Sequence, residues 1–129
     1  MDPGTPGPAA HRRVLVVDDD ARSRAAVARI LAAEGYDATV AADGEEATGL
    51  LATWRPDLVL TDLNMPRLDG LGLLQRVRSV LPGTPVLVLS ARSAEAGPLA
   101  GGTDPSDFFP KPVQVDELLR RIRQLIGSA

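Results

Sequence analysis

Residues 14–20 read VLVVDDD, and residues 56–70 read PDLVLTDLNMPRLDG. Each stretch carries a short apolar run into a carboxylate, since Asp18 follows Val17 and Asp62 follows Thr61. Runs that are apolar at nearly every position predict strands buried on both faces, as in a parallel sheet covered by helices. The two stretches therefore predict such a sheet, with acidic side chains where two of its strands end.

The rest of the chain alternates in the same way. Further strands are predicted at Asp37–Ala41, Val86–Leu89 and Phe108–Phe109, which with 14–17 and 58–61 makes five. Helices are predicted between or after them at Ala21–Glu34, Asp43–Trp54, Gly70–Val80 and Val113–Ile126. Strands that alternate with helices indicate a doubly wound α/β fold, with a five-stranded parallel sheet and helices on both faces.

Local signals mark where these helices begin and end. Gly35 is placed to end the first helix, and Asp43 with Glu46 forms a capping box for the second. One stripe of the second helix is predicted to run to Trp54, with Pro56 stopping it. The last helix has the clearest apolar face, formed by Val115, Leu118, Leu119, Ile122 and Ile126.

Length and composition limit the class of protein. A chain of 129 residues predicts one domain, and 44% apolar residues are enough for a core. A net charge of −3 disfavours a nucleic-acid surface, and the absence of cysteine excludes disulfides and thiolate sites. A single histidine, His11, excludes a multi-histidine metal site.

The ends of the chain and its location are also predicted. Residues 1–12 begin with MDPGTPGPAA and predict a disordered leader, so the domain is expected over residues 13–127. Neither a signal peptide nor an apolar run of about 18 residues is present, so we expect a cytoplasmic protein that contacts no membrane.

Doubly wound sheets bind ligands beyond the carboxyl ends of their strands. Four strands here deliver polar side chains to that end of the sheet: Asp18–Asp20, Asp62, Ser90 and, across Pro110, Lys111. Taken singly, each has an ordinary alternative: a helix cap for the aspartates at 18–20, a turn residue for Asp62, a loop hydroxyl or a solvated lysine for the other two.

Their joint occurrence favours a functional site. Carboxylates about 4 Å apart repel by about 4 kcal/mol per pair at an effective dielectric near 20, so a cluster of them calls for a counter-charge. Lys111 supplies one positive charge, and oxygen ligands suit Mg²⁺ for the remainder. A divalent cation beside a carboxylate, a hydroxyl and a lysine is typical of phosphoryl transfer, in which a carboxylate can become an aspartyl phosphate.

Four blocks, VLVVDDD, PDLVLTDLNMPRLDG, PVLVLSA and FFPKPV, together resemble the receiver domain of bacterial two-component response regulators, over about residues 13–126. The resemblance implies that Asp62 accepts phosphate from a histidine kinase or a histidine phosphotransfer protein. It implies that Asp19 ligates Mg²⁺ (with Mn²⁺ as a substitute), that Asp18 helps mostly through water, and that Asn64 ligates through its backbone carbonyl.

The same resemblance implies a switch. Ser90 would follow the phosphate, Phe108 would occupy the aromatic switch position, and Lys111 would pair with a phosphate oxygen, its bond to Pro112 being cis. An ordinary core role for Phe108 is equally compatible with its apolar ring. The expected assembly is a monomer or weak homodimer with an unknown downstream protein target.

One segment departs from the family pattern. Residues 93–106, SAEAGPLAGGTDPS, hold three glycines and two prolines, which disfavour a helix. We expect the family's fourth helix, located there, to be short or degraded, with a poor helix held by tertiary contacts as the alternative.

Three functions remain open at this point. The first is a phosphorylatable receiver, a signalling module and not an enzyme acting on external substrates. The second is a receiver-like scaffold that binds partners without phosphorylation, favoured only by the weak segment at 93–106. The third is a Mg²⁺-dependent phosphatase with an aspartate nucleophile; such enzymes typically carry a second aspartate two residues later, where this chain has Asn64.

Overall fold

The computed structural model describes residues 12–62, 70–90, 108–110 and 113–127, with only the backbone described at residues 70, 71, 90, 108 and 110. Five strands lie in this part of the chain: β1 (Arg13–Val17), β2 (Asp37–Ala41), β3 (Leu58–Asp62), β4 (Val86–Ser90) and β5 (Phe108–Pro110). Four helices accompany them: α1 (Ala21–Ala33), α2 (Gly44–Leu51), α3 (Gly70–Val80) and α4 (Val115–Ile126).

The strands form one parallel sheet in the order β2-β1-β3-β4-β5. All strands therefore end on one side, which we call the carboxyl end of the sheet, and begin on the other, the amino end. Val17 of β1 lies opposite both Ala41 and Thr61. This register brings the residues that follow Val17 and Thr61 out side by side.

Each face of the sheet has its own apolar core. Leu15, Val17, Val59 and Val88 pack on one face with residues of α2 and α3, including Leu51 and Val77. The alternate residues Val14, Val16, Leu58 and Leu60 pack on the other face with residues of α1 and α4, including Leu31 and Ile122. Because successive strand residues point to opposite faces, continuous apolar runs supply both cores, which confirms the doubly wound fold.

The predicted capping signals act as expected. Gly35 follows α1 with φ of 93°, a conformation that glycine adopts without the Cβ penalty of other residues. The Asp43 side chain accepts the Glu46 amide at 2.8 Å, and the Glu46 carboxylate accepts the Ala42 amide. The capping box is therefore formed, except that Glu46 accepts the amide of Ala42 and not that of the N-cap residue Asp43.

Two predicted helix boundaries were wrong by more than one residue. α2 ends at Leu51, and Trp54 lies beyond it, partly buried against the α2–α3 core. α4 starts at Val115 and not at Val113, and Val115 is 37% exposed, whereas Leu118 and Leu119 in the next turn are buried. Residues 1–11 and 93–106, on which the leader and weak-helix predictions fall, lie outside the described residues.

The described helices include none with the length and apolar composition needed to cross a bilayer.

Candidate functional site

Three carboxylates meet at the carboxyl end of the sheet. Asp18, Asp19 and Asp62 each offer an oxygen, and these oxygens all lie within 4.8 Å of one another. Asp18 is 3% exposed and Asp62 8% exposed, whereas Asp19 is open to solvent. The cluster thus has two buried members and one that faces water.

The backbone after β1 is held so that Asp18 is fixed. Its amide donates to the Ala41 carbonyl at 3.1 Å, which extends the β1–β2 pairing by one step. Its carboxylate accepts the Asp20 amide at 2.9 Å, and its carbonyl accepts Nη1 of Arg24 at 2.7 Å. Three separate hydrogen bonds therefore constrain one residue of the cluster.

Asp20 has a different role from its two neighbours. It is the N-cap of α1, accepting the Arg22 amide at 3.3 Å and the Ser23 hydroxyl at 2.8 Å. The run of three aspartates thus satisfies both interpretations offered by the sequence: the third residue caps a helix, and the first two join the cluster.

Asp62 is the last residue of β3 and lies opposite Leu89 of β4. Thr61 beside it is fully buried and donates its hydroxyl to the Asp62 carbonyl at 2.9 Å. The polar group of Thr61 is therefore satisfied where the strand ends, and the Asp62 backbone is anchored.

The donor set fits a small hard cation. Carboxylate oxygens are the ligands that Mg²⁺ prefers, and it keeps several waters, for which the exposed side of Asp19 leaves access. Two carboxylates 4.8 Å apart repel by about 3 kcal/mol at an effective dielectric near 20. A divalent cation held by Asp18, Asp19 and Asp62 would turn that repulsion into attraction.

The remaining predicted residues are described only in part. Ser90 ends β4 opposite Pro110 of β5, so its backbone lies at the carboxyl end of the sheet. Phe108 begins β5 opposite Val88, and its neighbour Phe109 is 9% exposed in the core. The side chains of Ser90 and Phe108, together with Asn64, Lys111 and Pro112, lie outside the described residues.

Comparison with known proteins agrees with this geometry. The family description "Response regulator receiver domain" matches residues 14–123. This chain belongs to the response regulator receiver family. Members of the family are signalling phospho-acceptors and not classical enzymes, and the family implies a histidine kinase as the upstream partner.

The relatives extend beyond this chain. This chain is 45% identical over 117 residues to the response regulator MprA of Mycolicibacterium vanbaalenii, and the match covers 88% of this chain and 50% of that protein. The chain therefore spans about half the length of the curated relatives it matches.

Solved receiver structures have the same fold. A response regulator receiver protein from Pseudomonas putida matches with TM-score 0.80 and 34% identity, covering 89% of this chain and 98% of that one. The chemotaxis protein CheY4 of Vibrio cholerae matches with TM-score 0.77 and 31% identity, covering 90% and 99%.

Arg24 was not among the predicted site residues. An arginine in the first turn of a helix is an ordinary solvent-facing residue by pattern. Its contact with the Asp18 carbonyl depends on how α1 turns back over the end of β1, which only the assembled structure specifies.

Proposed function

We propose that Asp62 accepts a phosphoryl group from a phosphohistidine of a partner kinase or phosphotransfer protein, and that the Asp18–Asp19–Asp62 cluster binds Mg²⁺ for this reaction. The observation that carries the proposal is the meeting of three carboxylate oxygens within 4.8 Å at the end of β3. Such a grouping of like charge in a buried place favours a bound cation over a purely structural role.

In the proposed step, an Asp62 carboxylate oxygen forms a bond to phosphorus as the bond from phosphorus to the histidine nitrogen breaks. The nitrogen keeps the electron pair of that bond, and the ring leaves as neutral imidazole because its other nitrogen carries a proton. Mg²⁺, when bound, neutralises charge on the phosphoryl oxygens. Asp62 is well placed as the acceptor because the β3–β4 pairing and Thr61 hold its backbone still.

The roles of the other residues follow from the family resemblance. We propose Ser90 and Lys111 as partners of the phosphoryl oxygens, Asn64 as a backbone ligand of the cation, and Phe108 as the ring that changes position with Ser90. Phosphorylation adds charge and acceptor oxygens at Asp62, which is the kind of local change that shifts a two-state surface. On the same family resemblance we propose that the protein acts on a downstream protein target and lies in the cytoplasm. We also propose that it is a monomer or a weak homodimer.

Intact-mass measurement after incubation with acetyl phosphate and Mg²⁺ tests the proposal. The unaltered chain should gain one phosphoryl group, and Asp62→Asn should gain none. Asp20→Asn is the matched control, because it removes a charge next to the cluster while asparagine still caps α1. It should be phosphorylated like the unaltered chain.

The other outcomes would each contradict the proposal. Full phosphorylation of Asp62→Asn would place the acceptor elsewhere. Release of many phosphates per protein from phosphoesters would indicate a phosphatase. A chain that binds Mg²⁺ but takes no phosphoryl group would be a scaffold.

A further inference from the structure

We propose that Arg24 is a positioning residue for the acidic cluster: by holding the Asp18 carbonyl it sets the geometry in which Asp18 and Asp19 bind a cation. The inference rests on the proposed function for its consequence in phosphorylation. Its physical basis is a single contact, the hydrogen bond of 2.7 Å from Nη1 of Arg24 to the Asp18 carbonyl oxygen.

The carbonyl that Arg24 holds belongs to the peptide bond joining Asp18 to Asp19. A peptide group is planar, so fixing its oxygen fixes the whole plane, and with it the rotation between the two residues. The amide of Asp18 and its carboxylate are held by other groups, Ala41 and Asp20. Arg24 therefore fixes the one part of this linkage that leads on to Asp19.

Asp19 depends on this constraint more than its neighbours do. It is exposed, and within the described part of the chain its carboxylate makes no hydrogen bond or ion pair of its own. Asp18 and Asp62 are buried and hydrogen-bonded through the sheet. Repulsion from these two carboxylates pushes Asp19 outward, and the fixed peptide plane resists that movement.

Arg24 could act on the cluster in a second way, as a plain counter-charge. The two roles predict opposite changes in cation affinity when the side chain is removed. A counter-charge competes with Mg²⁺, so its loss would lower the dissociation constant. A positioning residue preorganises the ligands, so its loss would raise the dissociation constant even though the site becomes more negative.

Calorimetric titration with Mg²⁺ alone separates these roles. For Arg24→Ala we expect the Mg²⁺ dissociation constant to rise about 10-fold, the low end of the effect of removing groups that orient metal ligands. Arg24→Lys keeps the charge but not the forked donor geometry, and should give an intermediate rise. Arg29→Ala is the matched control, an exposed arginine of the same helix, and should leave the constant unchanged.

A second measurement needs no metal. Hydrogen exchange followed by nuclear magnetic resonance in the metal-free protein reports the Asp20 amide, which the Asp18 carboxylate accepts. In Arg24→Ala this amide should exchange faster than in the unaltered chain, since release of the Asp18 carbonyl loosens the residue that carries its acceptor. Amides in the middle of β3 should keep their protection, which shows that the fold is retained.

A dissociation constant that is unchanged or lowered in Arg24→Ala would overturn the proposal, as would unchanged exchange of the Asp20 amide. If Arg24→Ala fails to fold, Arg24→Lys decides by the same two readouts. The phosphorylation rate with acetyl phosphate should fall with the Mg²⁺ affinity, and saturating Mg²⁺ should restore most of it. If the unaltered chain takes no phosphoryl group, the proposed function fails, yet the titration and the exchange data still decide the role of Arg24.

Discussion

At the amino end of the sheet opposite charges lie together, whereas at the carboxyl end like charges do. Arg13 donates its amide to Asp57 at 2.8 Å, lies 3.9 Å from Asp37 and stacks 5.4 Å above the Trp54 ring. At the other end Asp18, Asp19 and Asp62 gather within 4.8 Å. The amino end pairs opposite charges within the chain, and the carboxyl end gathers carboxylates that could hold a metal ion.

The amino end also secures the last helix. The Tyr36 hydroxyl donates to the Gly127 carbonyl at 2.8 Å, just beyond α4, and Arg123 of α4 lies 3.9 Å from Glu34. Both ion pairs at this end are about half exposed, so each contributes little by itself. The hydrogen bond of the buried Tyr36 is worth more, because burial removes competing water.

Mg²⁺ binding at the carboxyl end of the sheet is expected to give the largest change in stability. A cation at 100 times its dissociation constant stabilises a protein by about 2.7 kcal/mol, which raises the Tm of a domain of this size by roughly 10 °C. Thermal unfolding in Mg²⁺ and in EDTA at equal ionic strength measures it. Asp62→Asn should lose most of the rise, and Asp57→Asn, at the amino end, should keep all of it. No rise in the unaltered chain would mean that the cluster binds no cation.

In the absence of metal, removal of one carboxylate should change the free energy of unfolding in opposite directions at the two ends of the sheet. Asp62→Asn relieves repulsion, partly screened by water at Asp19, and should raise the free energy of unfolding by roughly 1–2 kcal/mol. Asp57→Asn weakens the acceptor for the Arg13 amide and should lower it. Unfolding in EDTA measures both, and an unchanged or lowered Tm for Asp62→Asn would contradict this account of the cluster.

Tyr36→Phe should have the smallest effect and lower the free energy of unfolding by about 1 kcal/mol, because it removes one hydrogen bond. Burial raises the pKa of Tyr36 above its ordinary value of 10.0, against the opposing charge of Arg123. Because the pKa is raised in the folded state, the stability that the protonated Tyr36 hydroxyl contributes is present below about pH 10.0. It is lost as the pH rises through the higher folded-state pKa.

The measurement for Tyr36 is unfolding of both proteins across pH 8 to 11, a range centred near the ordinary tyrosine pKa of about 10. The advantage of the unaltered chain over Tyr36→Phe should shrink at the alkaline end. The Mg²⁺-induced rise in Tm should be equal in the two proteins, since the site lies at the other end of the sheet. A difference in stability that is constant with pH would contradict a titrating role for the phenol.

Much of the fold could be predicted because its signals are local. The buried strands contain continuous apolar runs at residues 14–17 and 58–60, and the cap at Asp43 has a side-chain mechanism that the sequence displays. The end of α2 could not be predicted, because Trp54 continues the apolar stripe although it packs from outside the helix, beneath Arg13.

The meeting of Asp18 with Asp62 could be predicted, because parallel strands end together. The contacts around them could not. The Arg24 carbonyl contact and the Arg13–Asp57 hydrogen bond depend on the register and on the path of the chain between elements, which no periodicity encodes. The division of three consecutive aspartates into two cluster residues and one helix cap likewise depends on where α1 begins.

Asp62 ends the middle strand of five, with β1 and β4 paired along its two sides and a packed core above and below. A group added to Asp62 meets a strand that is paired on both sides and packed on both faces, which opposes its displacement. Under the proposed phosphorylation, the added group would lie beyond the end of β3 and would not displace the strand itself.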